Sequence, residues 1–335
     1  MSTTTEPILI TLSEVQPEQV RWLWPNRVPL GKVTIFFGDP GLGKSFAALH
    51  LAALVSRGDQ DVTSAGDVIL LSAEDDPADT IRPRLDTAGA DASRVHILKA
   101  VQESANGQTK ERMLRLDRDI EQIREALRRH PETKLVIIDP LSAYMGNVDS
   151  RSDEQVRSML TPLFQLALES GVAIICIKHL NKAEEKSAMY RAGGSIAFIA
   201  AVRMAWMFVK DRNDPERRLM VLLKSNIEKN PGAFAFSIQE TESGPRVVWE
   251  SGTVEADLDD VLQPAGAHRG TVRENTEKWL RELLANGPLL SKEVDEAANA
   301  AGLTHATLRR AKTALKVKAT REGYASNGQW KLSLP

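Results

Sequence analysis

The chain has 335 residues, enough for one large domain and a small one. Its 42% hydrophobic and 26% charged content is that of an ordinary globular protein, and a net charge of −2 excludes a surface that is basic throughout. The one cysteine, Cys176, excludes an internal disulfide framework and fits a reducing cytosol, so a cytoplasmic location is expected.

Met1–Pro7 lacks a basic stretch leading into an apolar core, so no signal peptide is expected. No apolar run reaches transmembrane length; Ile196–Val209 is the longest and Arg203 interrupts it, so no membrane partner is expected. Residues 1–30 read as a lead-in, with Val20–Pro25 and Arg27–Gly31 as its structured parts. Lys32–Phe37 is apolar, β-branched and aromatic, which predicts a strand. Gly38, Asp39, Pro40, Gly41, Leu42, Gly43, Lys44 and Ser45 then fill every position of G-x-x-x-x-G-K-[S/T], and Phe46–Val55 reads as a helix with an apolar face. Strand, glycine loop and helix are the context in which backbone N–H groups and a helix N-terminus cradle phosphates. The motif predicts a nucleoside triphosphate bound by residues Gly38 to Phe46, with Lys44 on the β- and γ-phosphates and Ser45 on Mg²⁺.

Strands are predicted at Val33–Phe37, Val68–Ser72, Val95–Leu98, Leu135–Ile138, Val172–Ile177, Met204–Val209 and Leu219–Lys224. Helices are predicted at Ser45–Ser56, Ala78–Ala88, Leu116–His130 and Asp153–Ser170. This alternation predicts an α/β fold with a mostly parallel sheet flanked by helices over residues 31–250, ending in an antiparallel hairpin. Leu135–Asp139 is an apolar strand ending in an acid, the Walker B pattern, which aims Asp139 at the metal. Val68–Glu74 ends in another carboxylate. Glu74 would approach the γ-phosphate as a catalytic base if this strand adjoins the phosphate-loop strand, whereas Asp75 and Asp76 suit the start of a helix. His179 ends the strand after Walker B and is a candidate sensor of the γ-phosphate.

Residues 251–269 read as a linker. Residues 270–335 hold helices at Thr271–Ala285, Ser291–Ala301 and His305–Val317, then strands at Ala319–Tyr324 and Trp330–Leu334, a winged helix-turn-helix pattern. From Gly266 to Pro335 there are twelve Lys/Arg against seven Asp/Glu, a local basic excess that favours phosphate contact. Arg309, Arg310 and Lys312 lie on the third helix and would meet DNA, although winged helices also dock proteins.

Together these residues resemble the RecA-like P-loop ATPases, specifically the plasmid RepA-type hexameric helicases and their DnaB and RadA relatives. The phosphate loop, Ser72–Asp75, Ile138–Pro140 and Lys178–Leu180 occur in that family's order, over roughly residues 20–240. The resemblance implies ATP and Mg²⁺ as ligands, Glu74 as base, Asp139 at the metal and His179 as sensor. It also implies a homo-oligomeric ring, a hexamer in that family, with each site completed by a neighbour's cation. Arg203, in an otherwise apolar run where an unpaired charge would be costly, and Lys224 match that cation by position. The related DnaB group often has an Arg where this chain has Asn226. Channel loops would hold single-stranded DNA, and Tyr144–Arg157 and Asn181–Gly194 occupy those places, the latter carrying Lys182, Lys186 and Arg191 beside Glu184 and Glu185. The resemblance therefore implies a DNA helicase, with a nucleotide-switched DNA-binding regulator or a RadA-like recombination mediator as alternatives.

Overall fold

The computed structural model describes residues 9–105, 108–180, 196–212, 214–228, 230–256, 269–285, 287–301, 303, 305–322 and 329–335. The chain divides into two compact units, Met1–Leu262 and Gln263–Pro335. Among the described residues no helix is long and apolar enough to cross a membrane.

The first unit opens with a hairpin, β1 (Trp22–Trp24) and β2 (Val28–Pro29), which the sequence marked only as a structured lead-in. Arg27 at its turn lies over the rings of Trp24 and Phe234, and its carbonyl accepts from Trp206 Nε1 at 2.8 Å. The central sheet has nine strands: β3 (Val33–Gly38), β4 (Asp67–Ser72), β5 (Val95–Ile97), β8 (Thr133–Asp139), β9 (Ala173–His179), β10 (Met204–Lys210), β11 (Arg217–Ser225), β12 (Phe234–Thr241) and β13 (Gly244–Trp249). A separate polar hairpin pairs β6 (Val101–Ala105) with β7 (Gln108–Arg112). The order is β13-β12-β11-β10-β3-β9-β8-β4-β5. Strands β10 to β5 in that order run parallel, and β11, β12 and β13 add antiparallel.

Helix α1 (Lys44–Arg57) and α2 (Arg82–Thr87) cover one face, and α3 (Ile120–Arg129) and α4 (Asp153–Ser170) the other. The strand residues alternate between these two layers. Val136 and Ile138 of β8 pack with Ile123, Leu127, Val156 and Leu160, whereas Leu135 and Ile137 pack with Ala47, Leu51 and Leu85. Strands buried on both faces read as continuous apolar runs, which is why the sequence displayed them clearly. Each fully buried Ile or Phe, such as Ile35 and Phe36, contributes roughly 1.5–3 kcal/mol of transfer free energy.

Helix α3 begins at Ile120 rather than at the expected Leu116. The Asp119 carboxylate accepts from Arg112 Nη2 at 2.8 Å and from Arg115 N at 2.8 Å, which holds the preceding turn out of helical conformation. Helix α4 spans the expected residues, with Ser152 capping Gln155 N and Gly171 ending it at φ 71°. The apolar run Ile196–Val209 divides into a short helix, α5 (Ile196–Ala201), and β10. Past β13 the chain stays on this unit: Val254 exchanges both backbone hydrogen bonds with Ala233, at 3.0 and 2.8 Å.

The second unit contains α6 (Arg269–Leu283), α7 (Ser291–Ala300) and α8 (His305–Ala314), with β14 (Leu289–Leu290), β15 (Lys318–Glu322) and β16 (Gln329–Ser333). The sequence indicated two strands here; β14 makes a third by pairing Leu289 with Leu332. Leu280, Leu284, Val294, Ala298, Leu308, Ala311 and Leu332 form its core.

Candidate active site

The ends of four parallel strands build the cleft. The β3 strand leads at Gly38 into the phosphate loop, and Gly38, Gly41 and Gly43 all take positive φ. At Gly38 a Cβ would lie 2.7 Å from the Phe208 carbonyl oxygen, and at Gly43 it would meet Ile238 Cδ1 at 3.0 Å. These two positions combine left-handed backbone with close neighbours, so only glycine fits. The loop delivers Lys44 and Ser45 into the first turn of α1.

Lys44 is 3% exposed and donates to the carbonyls of Gly38 (2.9 Å) and Asp39 (2.8 Å). Burial lowers its pKa to about 8, against the opposing fields of Asp139, Asp39 and Glu74. Asp139, at the end of β8, is pushed up to about 6 by burial; a hydrogen bond from the Ser45 hydroxyl acts in the other direction. The half-buried Ser45 hydroxyl and Asp139 carboxyl form a hard-oxygen pair at the cleft, a donor set that fits Mg²⁺.

The sequence expectation made Glu74 depend on β4 lying beside β3. It does not; β9 and β8 stand between them. Glu74 nonetheless reaches the cleft because it follows the strand end, where Ala73 N donates to Asp139 O at 3.0 Å. Glu74 Oε2 is 3.9 Å from His179 Nε2. His179 has its pKa lowered by burial first and by Lys44 second, so it is held toward the neutral imidazole. Asp76 caps the following turn by accepting from Ala78 N at 2.7 Å, as expected of a helix start. Asp75 differs from that expectation: it pairs with Arg84 at 2.8 Å, and the Arg84 guanidinium lies 4.3 Å from the Phe46 ring centroid.

The cleft measures about 570 Å³, and Pro40, Gly41, Phe46, Arg84, Arg218 and Ile238 line its remaining walls. Arg84, Arg218 and Ile238 had no sequence signal, since they come from a helix and two antiparallel strands far along the chain. Asp39 and Leu42 complete the loop, Leu42 being buried against the Gly38 position.

Arg203 and Lys224 lie elsewhere. Met204 pairs with Thr34 and Met207 with Phe37, so Arg203 sits at the sheet end opposite the phosphate loop, roughly 16 Å away along the strands. Although it interrupts an apolar run, Arg203 is exposed at the α5–β10 junction, where solvation removes the burial penalty. Lys224 pairs with Ala205 at the same end and donates to the α5 carbonyls of Ile199 (3.0 Å) and Ala200 (2.8 Å). Burial and then the charges of Arg203 and Arg157 lower its pKa. Among the described residues none of these three cations is ion-paired to a carboxylate. Sequence reasoning missed Arg157, which enters from the second turn of α4.

Lys182, Lys186 and Arg191 lie outside the described residues. In the second unit Arg309 is exposed, while Lys312 donates to Asp295 at 3.1 Å. The backbone of Arg310 lies within α8, but its side chain is outside the description.

A family model described as AAA domain matches residues 4–185, more than half of the chain. The chain is also 25% identical over 154 residues to the DNA repair protein RadA of Bacillus subtilis (strain 168). That match covers 45% of this chain and 28% of that protein, so the chain spans under a third of the relative's length.

Proposed function

The chain belongs to the AAA-domain family, with a RecA-like P-loop ATPase core, and on that premise we propose that it is an ATP-driven motor on DNA. Specifically, we propose a ring-forming helicase of the plasmid RepA type that hydrolyses ATP at subunit interfaces. Gly38–Ser45 and the N-terminus of α1 hold the phosphates, and Lys44 exchanges its two loop carbonyls for phosphate oxygens. Ser45 and Asp139 would hold Mg²⁺, which would neutralise charge on the triphosphate. Glu74 orients the attacking water and takes its proton as the Pγ–O bond to ADP breaks. His179, in contact range of Glu74, responds to the presence of the γ-phosphate.

The observation that carries this reading is the separation of charges along the sheet. Lys44, Glu74, Asp139 and His179 gather at one end, and Arg203 and Lys224 lie at the other. Both are too far along the sheet to serve their own cleft; Arg203 is exposed for a neighbour's, where a cation stabilises charge that develops in transfer, while half-buried Lys224 holds the end of α5. Repeated around a six-membered ring, the arrangement makes hydrolysis depend on assembly. Lys182, Lys186 and Arg191 would hold single-stranded DNA in the channel. The second unit would act as a winged helix on duplex or fork DNA through Arg309 and Arg310.

Strand displacement on a forked duplex tests this reading. Unwinding that needs ATP and is lost in Lys44→Ala and Glu74→Gln supports it. The RadA match favours a second reading, a recombination mediator or nucleotide-switched regulator, and DNA-stimulated hydrolysis without unwinding would select that one.

A further inference from the structure

A second polar cluster occupies the sheet edge remote from the cleft. Asp67 opens β4, His96 lies on β5, and His130 follows the last residue of α3. Backbone hydrogen bonds stitch these segments together. Asp67 N donates to Glu132 O at 3.0 Å, and Thr133 donates to His130 O from N (3.1 Å) and Oγ1 (2.6 Å). His96 stands beside Ile69 in the β4–β5 register.

The side chains converge on one oxygen. Asp67 Oδ2 is 3.6 Å from His96 Nε2 and 3.8 Å from His130 Nδ1. The imidazoles face each other with centroids 3.7 Å apart and planes inclined by 30°. Arg94 Nη1 engages the other oxygen, Oδ1, at 3.3 Å and Glu132 at 2.8 Å, so it fixes the carboxylate with Oδ2 toward the rings. His96 Nε2 is buried and has no hydrogen-bond partner among the described residues. The folded state thus leaves a buried ring nitrogen without a bond, which is unfavourable unless something fills the position.

We propose that Asp67, His96 and His130 bind one divalent transition-metal cation of the Zn²⁺ class. Two imidazole nitrogens and a carboxylate oxygen are the ligands such borderline ions take, whereas Mg²⁺ and Ca²⁺ select oxygen shells. Bonds of about 2.0–2.2 Å to a tetrahedral centre put donor atoms roughly 3.3 Å apart, a few tenths of an ångström inside the observed spacings. The half-exposed site leaves water the fourth position. Arg94 supports the carboxylate from behind, as the outer partners of metal ligands do. The ion would clamp edge strand β5 and the end of α3 to β4. The Asp67 and Ser72 ends of β4 are opposite, so this site is independent of the ATPase reading.

Full-length protein stripped with a chelator and returned to excess Mg²⁺ is titrated with Zn²⁺ against a chromophoric competitor. One Zn²⁺ per chain is expected, and Asp67→Asn, His96→Gln and His130→Gln should each weaken binding at least about tenfold. Co²⁺ in the unaltered protein should give the visible bands of a four-coordinate N/O site, and Zn²⁺ should raise its melting temperature. The wild-type titration and spectrum stand even if a variant folds poorly. Failure to bind stoichiometric Zn²⁺, or undiminished affinity in the His96→Gln/His130→Gln double variant, overturns the proposal.

Discussion

His179 Nε2 stands 3.9 Å from Glu74 Oε2 although their strands are separated by β8. The chain achieves this by carrying Glu74 beyond the end of β4 and over Asp139. Burial holds the His179 imidazole toward its neutral form, and Glu74 is the carboxylate beside it at the cleft. Glu74→Gln is therefore predicted to lower ATP hydrolysis about 10²-fold or more while a fluorescent nucleotide still binds. Equal loss of binding and turnover would assign Glu74 to nucleotide affinity instead.

Asp139 supplies a pH prediction. Its carboxyl is raised from an ordinary value of about 3.9 to about 6 by burial. Between those values the folded chain keeps a proton that the unfolded chain releases, so this group's stabilisation is complete below about pH 4 and is lost as pH rises through about 6. Asp139→Asn should thus stabilise the nucleotide-free protein at pH 7.5 by about 3 kcal/mol, with the gain vanishing toward pH 4. Denaturant melts of both proteins across that range measure it. The same variant should lose Mg²⁺-dependent hydrolysis.

The two candidate finger residues should separate by their structural roles. Lys224 caps α5 by donating to two of its last carbonyls, so Lys224→Ala should destabilise the first unit by roughly 1–2 kcal/mol. Arg203 is exposed, so Arg203→Ala should leave the melting temperature unchanged while lowering hydrolysis about 10³-fold. Thermal melts paired with steady-state hydrolysis assays test both, and normal hydrolysis in Arg203→Ala would remove it from the mechanism.

In the second unit the ion pair between Lys312 and Asp295 sets a contrast. Arg309→Ala should weaken DNA binding across sequences and reduce the salt-dependence slope by about 1. Lys312→Met should act mainly on the unit's stability, by roughly 0.2–1 kcal/mol. Salt titrations of DNA affinity together with melting curves distinguish these effects.

The central strands and phosphate loop were legible because both depend on local pattern. Doubly buried strands are continuously apolar, and the loop's glycines and Lys44-Ser45 are contiguous. The β6–β7 hairpin escaped notice because Gln102, Glu103 and Ser104 pair with Thr109, Lys110 and Glu111, leaving no apolar alternation to read. Strand order was also invisible, so the route of Glu74 to the cleft could be stated only as conditional on β4 adjoining β3. Arg84 against Phe46, and Asp67 against His96 and His130, join residues from separate elements, and no spacing rule anticipates such meetings. Arg157 lies in a stretch that reads as a loop and helix start, and only the fold brings its charge to bear on Lys224.

The central claim is that each cleft is completed by a neighbour, and subunit mixing tests it most directly. Glu74→Gln chains retain Arg203, and Arg203→Ala chains retain Glu74, so each alone should hydrolyse ATP poorly. Mixed and shown by mass photometry to co-assemble, they should regain hydrolysis well above either variant, because some interfaces then pair an intact cleft with an intact cation. Co-assembled mixtures that stay as inactive as their components would contradict a shared site, as would a wild-type protein that hydrolyses ATP at full rate as a monomer.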